Sequence, residues 1–203
     1  SFVRPELLDL IFSETREQLG SKVFEVGLGA LSVARGALPA SVLATILVDE
    51  PLLRQTLNSP LVRRLETPGE PVYELREEVV REHLRSRWAK SEPEHHRRIA
   101  EAVTPALQSK NASPQAREYA LRNLLQHWLA VDREAAYRLC TDASYLTEKC
   151  RTMGVEAVLR DLRRCFAAEE PSHDRDLLHS MTEILSEESS LIQKEPDALA
   201  TLL

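Results

Sequence analysis

Leu61-Val62-Arg63-Arg64-Leu65-Glu66-Thr67-Pro68-Gly69-Glu70-Pro71-Val72-Tyr73-Glu74-Leu75 is the stretch whose reading decides the fold. Apolar and polar residues alternate on both sides of a Thr67-Pro68-Gly69-Glu70 turn, the period of two expected where a strand buries one face. No other part of the chain carries this period, so the sequence predicts one small β-hairpin in an otherwise helical protein.

Upstream of the hairpin the period is helical. Leu7, Leu8, Ile11 and Phe12 predict a helix over 5–19, with Pro5 in the first turn, where its missing N–H costs nothing. A second helix over 22–34 puts Val23, Gly27, Ala30, Leu31 and Ala34 on one face before Gly36 stops it, and those small residues imply close packing. A third starts near Pro39 and carries Val42, Leu43, Ile46 and Leu47; a short fourth follows Asp49-Glu50-Pro51 with Leu52, Leu53 and Leu57. Downstream, 76–88 reads as a helix that gives Val79, Val80, Leu84 and Trp88 to the core. Short helices, a hairpin and a closing helix are the ingredients of a winged-helix domain, assigned here to 1–90.

Residues 91–203 read as helix after helix. Ser91-Glu92-Pro93-Glu94 is a capping-box signature, in which the serine hydroxyl meets the N3 amide and Glu94 reaches back. Ser113-Pro114 opens the helix with the stripe Ala116, Ala120, Leu121, Leu124, Leu125, Trp128 and Leu129. Helices follow over 133–140, 144–152, 155–166 and 174–185. The connections are short, so successive helices are expected to be antiparallel neighbours stacked into a solenoid-like repeat arm. No repeat period is clean enough to name.

Composition agrees. Of 203 residues 43% are hydrophobic, 5% are aromatic and six are glycine, while Leu, Ala, Glu and Arg dominate, side chains that lose little rotamer freedom on a helix. The net charge of −6 argues against broad binding of a nucleic-acid backbone, which needs a basic surface to release counterions. Cys140, Cys150 and Cys165 are odd in number and form no CxxC pair, so they read as reduced, semi-buried thiols in a cytoplasmic protein. No apolar run approaches the roughly 20 residues that span a bilayer, and no signal peptide is visible. A chain that opens on Ser1 and closes on Leu202-Leu203 inside an apolar pattern reads as a piece of a longer polypeptide.

Reactive motifs are missing. The chain has no GxxxxGK[ST], GxGxxG, GxSxG or HExxH. His83, His95 and His96 have no partner cluster with metal-ligand spacing and read as solvated surface; His127 beside Trp128 reads as a packed helix-face residue. The pairs Glu77-Glu78, Glu169-Glu170 and Glu187-Glu188 are adjacent in sequence and read as solvated faces. Arg81, Arg85, Arg87, Arg97 and Arg98 lie among Glu77, Glu78, Glu82, Glu92 and Glu94, which predicts intrahelical ion pairs of about 0.2–0.5 kcal/mol each. Arg54, Arg63 and Arg64 leave open a DNA-binding winged helix, although Asp49 and Glu50 at the head of its recognition helix would repel phosphate.

Tyr119-Ala120-Leu121-Arg122-Asn123-Leu124-Leu125-Gln126-His127-Trp128-Leu129 resembles the "YALRYLPxHL" stretch of the helical arms of STAND-class NTPases. The run Leu139-Cys140-Thr141-Asp142-Ala143-Ser144-Tyr145-Leu146-Thr147-Glu148-Lys149-Cys150, with Gly154-Val155 and Val158-Leu159-Arg160-Asp161-Leu162, is similar to that family's "LLTDxxYLxxKL…GV…LLxDL". The match covers 114–166. In the first half, Ala30-Leu31-Ser32-Val33-Ala34-Arg35-Gly36-Ala37-Leu38-Pro39 looks like the lead-in "LAAARGPLP", and Leu75-Arg76-Glu77-Glu78-Val79-Val80-Arg81-Glu82-His83-Leu84 resembles the closing helix "FxHxxLRExL". The family includes the NACHT and apoptotic-protease-activating-factor-like proteins. Its nucleotide-sensing histidine falls on Glu77, and a carboxylate cannot stabilise a phosphate as an imidazole can, which is at odds with direct nucleotide sensing by this domain.

The resemblance implies a non-catalytic regulatory segment of a signalling ATPase. A nucleotide-binding domain would precede it and a sensor of WD or tetratricopeptide repeats would follow, with self-assembly on activation. No catalytic residue, cofactor site or metal site is expected in these residues. The alternatives are a DNA-binding winged-helix regulator with a helical effector domain, or a free-standing helical-repeat adaptor that binds a protein partner.

Overall fold

The computed structural model describes residues 9, 10, 12–14, 16, 17, 24–168 and 173–202. The protein is mainly helical with a small three-stranded antiparallel sheet. It divides into two compact units, Ser1–Ala120 and Leu121–Leu203. The boundary read from sequence at 90/91 lies inside the first of these.

In the first unit the helix expected over 5–19 falls partly outside the described residues; Asp9, Leu10, Phe12, Ser13, Glu14, Arg16 and Glu17 are helical. A π-helical turn (Phe24–Leu28) leads into α1 (Gly29–Val33), so the single helix expected over 22–34 is wound in two ways. The close packing implied by its small residues is present. A Cβ on Gly27 would lie 2.6 Å from Thr56 Oγ1, and one on Gly29 would lie 2.3 Å from Cε1 of His95. Next come β1 (Leu38–Pro39), α2 (Ala40–Leu47) and α3 (Glu50–Leu57), the last capped by the Asp49 carboxylate, which accepts from the Leu52 amide.

The hairpin is formed by β2 (Val62–Leu65) and β3 (Val72–Leu75), with Val62 opposite Leu75 and Arg64 opposite Tyr73. The period of two holds in β3, where Tyr73 and Leu75 are buried between half-buried neighbours; in β2 Val62 is buried but Arg63 and Arg64 are both exposed, so that strand does not alternate. A third strand joins it, since β1 pairs with β3 through Leu38 opposite Tyr73 and Pro39 opposite Val72. Gly69 takes φ +108° in the turn, and the Glu70 carboxylate accepts from the Ser41 amide at 2.7 Å and from the Ser113 hydroxyl, tying the turn to the start of α2 and to the chain ahead of residue 114.

The closing helix α4 (Glu78–Arg87) buries Val80 and Leu84, with Val79 and Trp88 half-buried. The helix α5 (Glu92–Gln108) packs against α1 and α2. The capping box expected at its start is not made: the Ser91 side chain makes no capping bond, and Glu94 instead accepts from Arg98 Nε at 2.9 Å. Ser91 has helical dihedrals, φ −98° and ψ −3°, so it does not adopt the extended conformation from which a cap hydroxyl reaches the N3 amide.

Beyond it lies α6 (Pro114–Leu129), whose first turn is capped by Ser113 Oγ accepting from the Ala116 amide at 3.0 Å. The second unit continues with α7 (Arg133–Cys140), α8 (Ala143–Met153), α9 (Val155–Ala168), α10 (His173–Glu187), α11 (Ser189–Lys194), a 3₁₀ turn (Pro196–Ala198) and α12 (Leu199–Leu202). Asp132 and Asp142 cap α7 and α8 through the Ala135 and Tyr145 amides. Gly154 alone joins α8 to α9 at φ +83°, a left-handed exit that glycine takes without a Cβ clash. Most of the stripe residues expected from sequence form the core, with Leu121, Leu124, Leu125, Val158, Leu159, Leu162, Leu178, Met181 and Leu185 buried, but Leu177 and Ile184, expected on the stripe of 174–185, are exposed. No described helix is long and apolar enough to cross a membrane.

Candidate functional site

Two polar clusters stand out, one in each unit. In the first unit, the chain leaving α1 turns outward at Ala34, which has extended dihedrals, and the carbonyls of α1's last turn are left without helical partners. Arg81, on α4, fills that gap: Nη1 donates to Leu31 O at 3.0 Å and Ala34 O at 2.9 Å, and Nε donates to the Glu78 carboxylate at 3.1 Å. A cation at a helix C-terminus also meets the negative end of the helix dipole. The Arg35 amide donates to the hydroxyl of Tyr119, whose burial pushes its ionisation upward.

These contacts frame an open cavity of about 280 Å³, lined by Ser32, Arg35, Glu78, Arg81, Arg85 and His96 among others. Arg81 and Arg85 are one helical turn apart on α4 and therefore share a face. Arg85 Nη2 donates to Glu92 at 2.7 Å. Among the described residues no ion-pair partner stands against the Arg35 guanidinium, whose side chain is exposed. His96 closes one wall, buried, with Nε2 3.6 Å from Glu92 Oε1. Its burial lowers its pKa below the ordinary histidine value, Glu92 pulls it back up, and Arg35 pushes it down again. The imidazole is therefore neutral at pH 7. Three guanidiniums face one lining carboxylate, in a chain whose net charge is −6.

The histidines are a correction to the sequence reading. His95 and His96 are not solvated: they are 2% and 4% exposed, and His83 stacks on Phe12 with ring centroids 4.7 Å apart. His95 lies edge-on to Trp88 and against Gly29, and neither of its ring nitrogens has a hydrogen-bond partner. Burial is the largest influence on its pKa, which is lowered; Arg98 lowers it further, while Glu25 and Glu94 oppose. The signal was present in the spacing. His95 leads the series Ile99, Val103 and Ala106, and His96 leads Ala100 and Val103, so both begin the buried stripe of α5. His127 is fully buried, as expected for a packed helix-face residue.

In the second unit Lys149 and Asp161 are each almost completely buried and form an ion pair. Lys149 Nζ also donates to Leu121 O and, at 3.2 Å, to Tyr145 Oη, while Tyr145 Oη donates to Asp161 Oδ2 at 3.0 Å. Cys140 Sγ donates to the Asp161 carbonyl at 3.9 Å. Its thiol pKa is raised, first by its hydrogen bond with Cys165 and then by burial. Burial likewise pushes up the Tyr145 phenol and, more simply, the Cys150 thiol. All three thiols are free and buried. The buried pair is satisfied by neighbours on α6, α8 and α9, and was not singled out from sequence.

The surface arginines carry carboxylate partners. Arg54 pairs with Glu50, Arg63 with Glu74 directly across the hairpin, and Arg64 with Glu66. The intrahelical pairs expected in the basic stretch are present for Arg81 with Glu78 and Arg98 with Glu94, whereas Arg85 reaches the next helix and Arg87 lies 3.8 Å from Asp9. Glu77 is exposed, at the residue preceding α4, and does not line the cavity.

No protein-family model matches the chain, and no curated protein matches it either. Among the described residues no three His, Cys, Asp or Glu side chains are grouped to hold a metal ion. Of the two clusters, the buried one is neutralised and closed to solvent. The open one places the exposed Arg35 and Arg85 beside a half-buried Arg81, an arrangement suited to a carboxylate or phosphate group.

Proposed function

We propose that the chain is a regulatory and scaffolding segment of a STAND-class signalling NTPase, coupling a nucleotide-binding domain ahead of it to a sensor beyond it through interdomain contacts. The observation that carries this reading is where the polar anchors fall. Arg81, from the stretch that resembles the family's closing helix, holds the carbonyls of Leu31 and Ala34 in the stretch that resembles its lead-in. Tyr119 engages Arg35 of the same lead-in. In the second unit Leu121, Tyr145, Lys149 and Asp161 all belong to the stretches that resemble the family's arm, and they meet at one node. Residues that look like family signatures are thus the ones that fasten each unit internally.

On this reading the segment acts without a catalytic side chain. The first unit holds the ATPase closed, the arm transmits engagement of the sensor, and switching is a change in population between two states biased by differential contacts. Its partners are the neighbouring domains of one cytoplasmic polypeptide and, after activation, copies of itself. Glu77 makes no direct nucleotide contact.

The test is the reading frame that encodes residues ahead of Ser1. The proposal expects a GxxxxGK[ST] motif within the preceding few hundred residues, and a frame without one overturns it. Tight, salt-sensitive binding of duplex DNA by the 203-residue chain would replace it with the DNA-binding reading.

A further inference from the structure

We propose that the cavity between the loop after α1, α4 and α5 binds a phosphate-sized oxyanion, with Arg35, Arg81 and Arg85 as its ligands. This goes beyond the regulatory reading and does not rest on it.

Size, charge and preorganisation argue together. A cavity of about 280 Å³ lies just below the range of drug-sized ligand pockets, which suits a single phosphate group or a small phosphate monoester. Guanidinium groups present planar forks of N–H donors that match phosphate oxygens and stay charged at every relevant pH. Arg81 is held in place by the carbonyls of Leu31, Ser32 and Ala34, all through Nη1, and by Glu78 through Nε, so it brings a fixed positive charge and its Nη2 group to the cavity. Those carbonyls form the negative end of α1, and the charge of Arg81 offsets them. Arg85 is anchored through one nitrogen to Glu92. Arg35 is exposed and lines the cavity, and among the described residues its guanidinium has no carboxylate partner, so it is available to close over a bound group.

The surroundings sharpen the contrast. Arg54, Arg63 and Arg64 are each paired with a carboxylate, as Arg81 is with Glu78 and Arg85 with Glu92, so what sets the cavity apart is that three guanidiniums line it together. The only carboxylate lining this cavity is Glu78, and Arg81 already engages it. A neutral His96 at the wall adds no charge to the cavity.

The experiment titrates the ¹⁵N-labelled 203-residue chain with inorganic phosphate and, separately, with glycerol phosphate at constant ionic strength, following amide shifts. The expected result is saturable movement of Arg35, Gly36 and His96 with either probe, the tighter one telling free phosphate from a phosphorylated small molecule. Arg35→Ala and Arg85→Ala are each expected to weaken binding by about tenfold or more, in line with loss of a charge-assisted bond. Arg54→Ala is expected to bind as the parent does, and circular dichroism verifies that each variant is folded. Shifts that stay linear into the tens of millimolar with both probes, or Arg35→Ala binding as tightly as Arg54→Ala, overturn the proposal.

Discussion

The two units use the same materials to opposite ends. Around Lys149 and Asp161 a cation, a carboxylate, a phenol and a backbone carbonyl close on one another with almost no exposure. Around Arg35, Arg81 and Arg85 cations, a carboxylate and backbone carbonyls again meet, but the balance is positive and the cluster opens to solvent. The difference teaches that it is satisfaction, rather than the presence of charge, that separates a fastening from a site. A buried pair whose every polar atom is matched has nothing left to offer a ligand. An arginine with no protein partner keeps its full capacity.

The largest effect belongs to the closed node. Lys149→Met or Asp161→Leu alone leaves a buried charge unmatched and is expected to cost about 3–5 kcal/mol, read from urea denaturation. The double replacement Lys149→Met with Asp161→Leu is expected to recover most of that loss, because an apolar pair of similar volume removes the desolvation penalty along with the attraction. If the two single variants and the double behave additively, the node is not a coupled unit and the contrast between the two regions breaks.

Gly29→Ala comes next. Its methyl would lie 2.3 Å from the His95 ring, which is buried between α1 and Trp88 and cannot simply swing away. Overpacking of this kind is expected to cost about 1–3 kcal/mol, visible as a lower melting temperature. Because α1 leads directly into the cavity loop, the same variant is expected to weaken phosphate binding, whereas substitutions at the Lys149 node that leave the first unit folded are not.

A pH titration of stability separates the regions further. His95 and His96 have folded-state pKa values below the unfolded value of about 6.5. Their contribution is therefore fully present above that value, where both states hold neutral imidazoles. It is lost as pH falls below about 6.5, because the unfolded chain then takes up protons that the folded chain refuses. Urea midpoints are expected to be level from pH 8 to about 7 and to fall toward pH 5, with a slope of at most about 1.4 kcal/mol per pH unit for each histidine. Replacing both histidines should flatten this slope.

The smallest effect is the most telling one. Arg35→Ala is expected to leave stability within about 0.5 kcal/mol of the parent, since the exposed guanidinium holds nothing in place. A residue whose loss is silent for folding but not for anion binding is what the open region calls for; a destabilisation of several kcal/mol would make Arg35 structural.

The sequence carried those parts of the structure that repeat. The Pro-Gly turn and the alternation of 72–75 give the hairpin, and the stripes of α6, α9 and α10 name most of the buried residues, with Leu177 and Ile184 of α10 the exceptions. Strand β1 did not register: two residues, one a proline, have no period, and they become a strand only by pairing with Tyr73 and Val72. The histidines were judged by residue type when their position in the α5 stripe was the better guide. Lys149 and Asp161 stand on different helices, and of that cluster only the i, i+4 spacing of Tyr145 and Lys149 was visible in advance. The cavity was half legible, in the row formed by Arg81 and Arg85. Arg35 and His96 are brought to it by packing of α1, α4 and α5, which no local pattern encodes.

The regulatory reading is tested most directly by extracting and quantifying nucleotide from the natural polypeptide that carries this chain, purified without added ATP. The account predicts stoichiometric ADP or ATP retained in the resting protein and released when the sensor is engaged. A polypeptide that purifies free of nucleotide and binds none when ATP and magnesium are supplied would contradict it.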